Sequence, residues 1–199
     1  MHLSEVYEEL TKIHTDELIV GSAGAAGGEW FRQADGPEVF YLQASIGTSS
    51  MFALGVARAA PQRKVWVFEG DGSLSMNPGS LMTIADTAPD NLVHFVLVNG
   101  VYGSTGRLPL TAATKLDTEA LARAAGIERT ITVDAVQDLR DQVIPMLAEP
   151  GPTFVALRIA NEDMPKVEVG LDGHELKYRF MRYMEDEVLG EKILNERGY

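Results

Sequence analysis

Apolar runs and helical stripes alternate along the chain, and their order predicts the fold. Short apolar runs of strand length occur at 17–20, 39–42, 64–68, 92–98, 130–133 and 153–159. Segments with helical spacing of apolar residues lie at 3–14, 49–60, 78–88, 116–125 and 136–147, and a short helix is expected from Glu29. The helix at 78–88 fits a start with Pro78 in its first position and Asn77 as its cap. This alternation predicts an α/β fold, a doubly wound and mostly parallel six-stranded sheet with helices on both faces.

No internal repeat or low-complexity linker interrupts the pattern, so residues 1–199 are predicted to form a single domain. Beyond Ala160 the sequence becomes polar and turn-rich, and a final helix is then predicted. Its apolar residues recur every four positions, at Leu176, Phe180, Met184 and Val188. We therefore expect 161–199 to be a turn-rich stretch and a helix. Such a stripe most often covers the core of its own chain, and docking on a partner subunit is the alternative.

The stretch 65–106 carries the candidate chemistry, because polar turns follow two of its apolar strands. Asp71 ends the first strand within GDGS, and Asn99 ends the second within VNGVYGSTG. Parallel neighbouring strands would bring both side chains to the carboxyl edge of the sheet, where open α/β sheets bind ligands. A carboxylate and an amide oxygen suit Mg²⁺, whose remaining ligands are usually water and phosphate oxygens.

The glycines and the serine of the same turn suit a phosphate group. Gly70 and Gly72 let the backbone approach closely, and Ser73 adds a hydroxyl where a helix begins. The local pattern therefore indicates a Mg²⁺–diphosphate site. Two ordinary strand-to-helix turns are the alternative, since Asp-Gly is a common turn signal.

These motifs resemble the cofactor-binding signature of thiamin diphosphate enzymes. Asn99 follows Asp71 by 28 positions, and the wider run QASIGTSSMFALGVARAAPQRKVWVFEGDGS resembles the diphosphate-binding domain of the 2-oxoacid decarboxylase group. Within this group the chain is most similar to the beta subunit of sulfopyruvate decarboxylase and the matching half of phosphonopyruvate decarboxylase. The likeness covers residues from about 17 to about 159.

The resemblance implies thiamin diphosphate and Mg²⁺ as cofactors and assigns residues to each. Asp71 and Asn99 would be side-chain metal ligands, with the carbonyl of Val101 as a third. Ile46 would support the V-shaped conformation of the cofactor, with the neighbouring backbone at the aminopyrimidine. The remaining cofactor-binding candidates are Gly21, Ser22, Ala44, Ser45, Gly70, Gly72, Ser73, Ser104 and Thr105. The chain departs from the family after YGSTG, where Arg107 begins a different loop and becomes a candidate contact for an anionic substrate.

Composition limits the partners and the location. The net charge is −12, which disfavours nucleic acid and anionic membrane surfaces as partners. The chain has no cysteine, which excludes disulfides and cysteine-ligated iron–sulfur clusters from it. An acidic N-terminus and the lack of a long apolar segment predict a cytoplasmic protein without a membrane span.

In the resembling enzymes, a glutamate from a separate pyrimidine-binding domain activates the cofactor. No glutamate here is placed for that role, and Glu29 and Glu69 are the nearest to the ligand-binding turns. We therefore expect no catalytic residue on this chain, which would be inactive alone. The expected partner is a pyrimidine-binding (alpha-type) subunit in a hetero-oligomer, with self-association in addition, and the substrate is a small anionic 2-oxoacid.

Three other functions are considered. A carboligase of the acetolactate synthase type shares the cofactor and the first steps of the reaction. A non-catalytic protein that keeps the fold is a second alternative, which the intact Asp71, Ser73 and Asn99 disfavour. A dinucleotide-dependent dehydrogenase is disfavoured because GSAGAAGG does not match the glycine spacing that such enzymes require.

We expect His94 to be a buried, hydrogen-bonded core residue and His174 a surface residue.

Overall fold

A six-stranded parallel sheet forms the centre of the protein. The structure is a computed structural model that describes residues 1–162, 167 and 169–190. The strands are β1 (Leu18–Ser22), β2 (Val39–Leu42), β3 (Val65–Gly70), β4 (Leu92–Val98), β5 (Val101–Tyr102), β6 (Leu108–Pro109), β7 (Arg129–Val133) and β8 (Thr153–Arg158). The sheet order is β2-β1-β3-β4-β8-β7 with every neighbouring pair parallel, and β5 and β6 form a separate antiparallel hairpin. The predicted six-stranded α/β fold is confirmed.

Helices cover both faces of this sheet. They are α1 (Leu3–Ile13), α2 (Ala25–Ala34), α3 (Ser49–Ala59), α4 (Asp71–Met76), α5 (Ser80–Thr87), α6 (Thr118–Ala124), α7 (Val136–Asp138), α8 (Ile144–Met146) and α9 (Gly173–Tyr183). Alternate strand residues point to opposite faces. Trp66 and Phe68 therefore pack with α1 and α2, whereas Val65 and Val67 pack with α3 and α5. Because both faces of the central strands are buried, β1, β3, β4 and β8 are largely apolar.

The strand order creates a crevice at one edge of the sheet. From β1 the chain moves outward to β2, and from β3 it moves outward in the opposite direction to β4. The segments that follow β1 and β3 therefore diverge, and open α/β sheets bind ligands in the gap that results. The sequence order and the topology thus place Ser22 and Asp71 on either side of one crevice.

Several elements differ from the sequence prediction. The helix expected from residue 78 with Asn77 as its cap is wrong at its start, because α5 begins at Ser80 after Gly79. The amide of Asn77 instead donates to the carbonyl oxygen of Gly47 at 3.0 Å. The segment expected as one helix over 136–147 is α7, a π-helix at Leu139–Val143 and α8 in succession. The β5–β6 hairpin was not predicted.

The final helix lies against the core of its own chain. Asp172 caps α9 by accepting hydrogen bonds from the amides of His174 and Glu175, both at 2.8 Å. Leu176 and Phe180 are buried, and a π-helix at Met184–Leu189 continues the element. The apolar stripe therefore covers this chain's sheet and α3, as the first of its two interpretations expects. The rest of the predicted C-terminal stretch, 163–166, 168 and 191–199, lies outside the described residues.

Candidate functional site

A cavity opens at the carboxyl edge of the sheet, in the crevice between β1 and β3. Residues after β1, β3 and β4 surround it, together with Ile46 from the loop after β2. Its lining consists of Ser22, Ala23, Gly24, Ala25, Ala26, Ile46, Gly70, Asp71, Gly72, Ser73, Leu97, Asn99, Val101, Tyr102, Gly103, Ser104 and Ile159. The fold therefore brings together residues from five separate parts of the chain, the fifth being Ile159 after β8.

Asp71 is a buried carboxylate at the first position of α4. Its Oδ2 accepts hydrogen bonds from the amides of Asn99 at 3.1 Å and Gly100 at 2.8 Å, and its Oδ1 accepts from the amide of Gly72 at 2.9 Å. Burial raises the pKa of this carboxyl, and the three amide hydrogen bonds act in the opposite direction. Asp71 thus joins the turn after β3 to the turn after β4.

The turn after β4 presents oxygen atoms beside Asp71. Oδ1 of Asn99 accepts a hydrogen bond from the amide of Val101 at 3.1 Å, which fixes the side chain across its own turn. Among the described residues, no group of three or more His, Cys, Asp or Glu side chains could hold a metal ion. A cation here would therefore use Asp71, the Asn99 amide oxygen and a backbone carbonyl, the hard oxygen donors that Mg²⁺ prefers.

Gly70 and Gly72 line the cavity for different physical reasons. A methyl group added at Gly70 would meet no atom within 4 Å, so the backbone is open to a ligand. A methyl group at Gly72 would lie 2.7 Å from Cδ1 of Tyr102, so glycine is needed there to admit the ring. The hydroxyl of Tyr102 lies 3.2 Å from Oγ of Ser75. Gly70 is consistent with a bound phosphate, and Gly72 is explained by packing.

Ser73 is in the cavity wall, but its hydroxyl proton is already donated within the protein. Its Oγ donates to Oε1 of Glu69 at 2.6 Å and accepts from the amide of Gly47 at 2.8 Å. An anion needs a donor, so a diphosphate contact by Ser73 requires its backbone amide while this arrangement holds.

The loop after β2 reaches the cavity through one residue. Ile46 is half-buried in the lining, whereas Ala44 and Ser45 are exposed and are not among the lining residues. The carbonyl oxygen of Ser45 accepts a hydrogen bond from Oγ1 of Thr48 at 2.8 Å. The loop therefore presents an apolar side chain to the cavity and leaves its preceding backbone accessible to a ligand.

Gly21 and Thr105 are predicted site residues that the structure leaves out of the lining. A methyl group at Gly21 would lie 2.9 Å from Cα of Gly27, so this glycine permits α2 to pack closely on β1. Thr105 is exposed and its hydroxyl donates to the carbonyl of Tyr102 at 3.4 Å. Their neighbours Ser22 and Ser104 do line the cavity.

Sequence reasoning missed Tyr102 and the start of α2. Tyr102 stands within the motif VNGVYGSTG, and its aromatic ring beside Gly72 was the available signal. The residues from Ala23 to Ala26 carry no polar side chain, and only the glycine-rich character of the segment indicated a role. In the fold, the first turn of α2 faces the cavity, where helix amides favour an anion.

Both candidate glutamates are committed to other partners. Glu29 is buried in α2 and accepts hydrogen bonds from Arg32 and Gln33. Glu69 is fully buried and bonds His94, whose Nε2 lies 3.0 Å from its Oε2. The prediction that His94 is a buried, hydrogen-bonded residue is confirmed. Of the described residues in the lining, Asp71 alone carries a carboxylate.

The two remaining sequence candidates lie elsewhere on the surface. Arg107 donates hydrogen bonds to the carbonyl of Glu162 and to the side chain of Asn161. Its guanidinium therefore lies on the segment after β8, and the predicted substrate contact would require it to leave these partners. His174 is an exposed residue at the start of α9, as expected.

The fold and the cavity define an α/β protein with a cavity at the switch point of a parallel sheet, whose lining suits an anionic ligand. The chain belongs to the family described as thiamine pyrophosphate enzyme, C-terminal TPP binding domain, whose model matches residues 20–157. The resemblance that the sequence motifs indicate is therefore confirmed, as is thiamin diphosphate as the cofactor of the family.

Curated relatives carry decarboxylase names. The chain is 35% identical over 179 residues to sulfopyruvate decarboxylase subunit beta of Methanococcus maripaludis, covering 89% of this chain and 94% of that protein. It is 38% identical over 150 residues to phosphonopyruvate decarboxylase of Streptomyces viridochromogenes, covering 75% of this chain but only 37% of that protein. These names agree with the predicted class, a thiamin diphosphate-dependent decarboxylase subunit.

A solved structure supports the fold. A putative thiamin diphosphate-dependent enzyme from Mycobacterium smegmatis superposes with a TM-score of 0.69 at 26% identity. The match covers 81% of this chain and 32% of that protein. In the described part of the chain, no helix has the length and apolar character needed to cross a membrane.

Proposed function

We propose that this protein is the diphosphate-binding, beta-type subunit of a thiamin diphosphate- and Mg²⁺-dependent decarboxylase of a small anionic 2-oxoacid. One observation carries the proposal: Asp71 and the turn at Asn99 meet at 2.8–3.1 Å in a cavity that also contains Ile46. A metal–diphosphate group and an apolar support for its organic part would then occupy one cavity.

The metal would be held by the side-chain oxygens of Asp71 and Asn99 and the carbonyl of Val101. Burial of Asp71 supports this assignment, because a buried carboxylate without a counter-charge is costly and a cation would supply that charge. The diphosphate would complete the coordination shell of Mg²⁺, which commonly keeps substrate phosphate oxygens among its ligands.

The diphosphate would lie over Gly70, where the backbone is open. Amides at Ser73 and at the start of α2 are suitable donors, with hydroxyls from Ser22 and Ser104 at the rim. The amide of Gly72 already donates to Asp71, so Gly72 would adjoin the diphosphate without donating to it. Ile46 would support the cofactor from the opposite wall. Gly21, Ala44, Ser45 and Thr105 stay predicted cofactor-binding residues, and they would act from outside the lining of the cavity.

Thiamin diphosphate supplies the electron sink for loss of CO₂, and the protein supplies binding, orientation and electrostatics. The glutamate that activates the cofactor would come from an alpha-type partner subunit, because the carboxylates of Glu29 and Glu69 are buried and paired. The relative from M. maripaludis is itself named a subunit, which supports a partnered assembly. The location would be cytoplasmic, and the chain a single domain.

The partner would cover apolar side chains beside the cavity. Met76 and Leu108 are 53% and 62% exposed, although both are large and apolar. Met76 adjoins Gly47, and Leu108 pairs with Tyr102 in the β5–β6 hairpin, so both lie next to the cavity wall. Burying them against a second chain is favourable and would close the site to water.

Calorimetric titration with thiamin diphosphate and Mg²⁺ tests this proposal, first on this chain and then on its complex with the partner chain. We expect tight binding only in the complex, followed by loss of CO₂ from an anionic 2-oxoacid such as sulfopyruvate or phosphonopyruvate. Condensation of two oxoacids instead of decarboxylation would establish the carboligase alternative. No binding in either state would favour the non-catalytic alternative.

Asp71→Ala and Asp71→Asn separate the metal role from the structural role. The asparagine keeps one oxygen that accepts from the amides of Asn99 and Gly100 but loses the acceptor of the Gly72 amide, so we expect that variant to keep more of the stability than Asp71→Ala while losing Mg²⁺-dependent cofactor binding. We expect Asp71→Ala to lose both binding and some stability, because three amides lose their acceptor. Mg²⁺-dependent binding retained by both variants would contradict the assignment of Asp71 as a ligand.

A further inference from the structure

A buried, hydrogen-bonded pair of side chains lies directly behind the cavity wall. Glu69 on β3 and His94 on β4 are 0% and 1% exposed, and Nε2 of His94 lies 3.0 Å from Oε2 of Glu69. The surroundings are apolar, with the ring of Phe154 5.3 Å from that of His94. When both partners of a buried hydrogen bond are replaced by apolar side chains of the same shape, the stability of a protein is often unchanged or higher. Stability alone therefore does not explain why Glu69 and His94 occupy these two positions.

The pair is the origin of a hydrogen-bonded chain that ends at the loop after β2. Oε1 of Glu69 accepts from Oγ of Ser73 at 2.6 Å, and Oγ of Ser73 accepts from the amide of Gly47 at 2.8 Å. Because Oε1 of Glu69 accepts this hydrogen bond, the hydroxyl of Ser73 donates inward, away from the cavity. The remaining lone pairs of Ser73 are then directed to the amide of Gly47.

The two peptide groups that flank Gly47 are both held by this arrangement. Its amide is bound by Ser73, and its carbonyl oxygen accepts from Nδ2 of Asn77 at 3.0 Å. Gly47 has a φ of +84°, in the left-handed region that glycine adopts at little cost. The amide belongs to the peptide that follows Ile46, so the orientation of Ile46 depends on the Ser73 hydrogen bond.

We propose that Glu69 and His94 are positioning residues that act through Ser73 and the Gly47 peptide to hold Ile46 against the cofactor cavity. This inference rests on the proposed function, because it assumes that the cavity holds thiamin diphosphate. Neither side chain lines the cavity, and their effect on the bound group is entirely indirect. His94 holds Glu69 in place, Glu69 orients Ser73, and Ser73 fixes the loop.

Hydrogen exchange of the full-length chain tests the connection without any cofactor. We expect Ser73→Ala to speed exchange of the Gly47 amide by about tenfold or more, because this amide loses its hydrogen-bond acceptor. Ser50→Ala is the matched control, since Ser50 is also a buried serine, bonded to Ser80 at 3.1 Å and outside the cavity lining. Equal Gly47 exchange in the wild type and in Ser73→Ala would overturn the proposal.

Cofactor affinity and turnover of the complex with the partner chain test the consequence. We expect Ser73→Ala and Glu69→Met, which removes the acceptor of the Ser73 hydroxyl at similar side-chain length, to weaken thiamin diphosphate binding and to lower kcat by about tenfold, with the KM of the oxoacid little changed. Ser50→Ala should match the wild type. The unfolding temperature shows whether each variant is folded. If one of the two variants does not fold, the other variant alone is compared with the wild type and with Ser50→Ala.

The outcomes distinguish this inference from the proposed function. Wild-type affinity and kcat in both variants would overturn the positioning role alone, because the cofactor would still bind. Absence of cofactor binding by the wild-type complex would overturn the proposed function and this inference together. A rise in the KM of the oxoacid with unchanged kcat would overturn the positioning role, because such a change would indicate a contact with the substrate.

Discussion

Gly70 and Gly72 in the cavity wall have different structural roles. Gly70 has an ordinary extended conformation, with φ −78° and ψ 152°, and open space above it. An alanine can adopt this backbone without strain, so only a ligand would be affected by its methyl group. Gly72 differs because the ring of Tyr102 already occupies the space that a methyl group would need.

Gly70→Ala should therefore separate binding from folding. We expect the free energy of unfolding to stay within about 0.5 kcal/mol of wild type, the usual range for substitutions that disturb no contact. We expect cofactor affinity to fall by about tenfold or more, because the methyl group would occupy the space that we assign to the diphosphate. Denaturant unfolding and calorimetry measure the two effects.

Gly55→Ala provides the matched control for that variant. Gly55 is exposed within α3, and an added methyl group would also meet no atom within 4 Å. Alanine there should stabilise the helix by about 1 kcal/mol and leave cofactor affinity unchanged. Wild-type affinity in Gly70→Ala would contradict the assignment of this space to the diphosphate.

At the scale of elements, the close approach of α2 to β1 shapes one wall of the cavity. Gly21 and Gly27 face each other where the helix crosses the strand, and neither position has room for a side chain. Because the helix lies so close to the sheet, its first turn reaches the carboxyl edge beside Ser22. The glycine-rich segment after β1 is therefore explained by packing that also positions backbone amides.

Gly27→Ala should disturb this wall. Its methyl group would lie 2.5 Å from the carbonyl oxygen of Ser22, a backbone atom that cannot move freely. We expect a loss of about 1–3 kcal/mol in the free energy of unfolding, the range for overpacked interiors, together with weaker cofactor binding. Unfolding in urea and calorimetry measure both, and wild-type stability would show that α2 can shift at no cost.

At the scale of the whole molecule, ion pairs tie distant segments on the face of the sheet away from α3. Arg140 in the π-helix donates to both carboxylate oxygens of Glu9 in α1, at 2.7 and 2.8 Å. Lys12 also donates to Glu9, at 2.7 Å. The hydrogen bonds from Arg140 and then from Lys12 lower the pKa of Glu9 from its ordinary 4.5 to about 2.

The difference in stability between Arg140→Gln and the wild type should depend on pH. Because the pKa of Glu9 is depressed, its ion pair stabilises the fold above about pH 4.5 and loses this effect as the pH falls towards 2. We expect the variant to be less stable than wild type at neutral pH, with the difference shrinking between pH 4.5 and 2. Urea unfolding across this range measures it.

Arg58→Gln is a suitable comparison for that prediction, because Arg58 is an exposed arginine at the end of α3. Its stability difference from wild type should stay nearly constant between pH 4.5 and 2. A difference between Arg140→Gln and wild type that persists undiminished at pH 2 would contradict the role of ionised Glu9.

The correctly predicted parts of the fold depend on patterns within short segments of the sequence. Apolar runs such as 92–98 identify buried parallel strands, because both of their faces are covered. The spacing of Asp71 and Asn99 at two strand ends places them at one edge once the strands are parallel neighbours. The failures at Asn77 and at the β5–β6 hairpin have another cause, since each depends on a partner elsewhere in the chain.

Local signals in the sequence were enough to predict the fold class, the family and several residues of the cavity wall, because hydrophobic periodicity and the GDGS and VNG motifs each lie within a short segment. Only the tertiary structure decided that Tyr102 fills the space beside Gly72 and that the Ser73 hydroxyl is committed to Glu69. It also decided that His94 and Gly47, 47 positions apart in the sequence, belong to one hydrogen-bonded chain. Such contacts depend on which strands become neighbours and how closely helices pack on them, and no local pattern of residues encodes those distances.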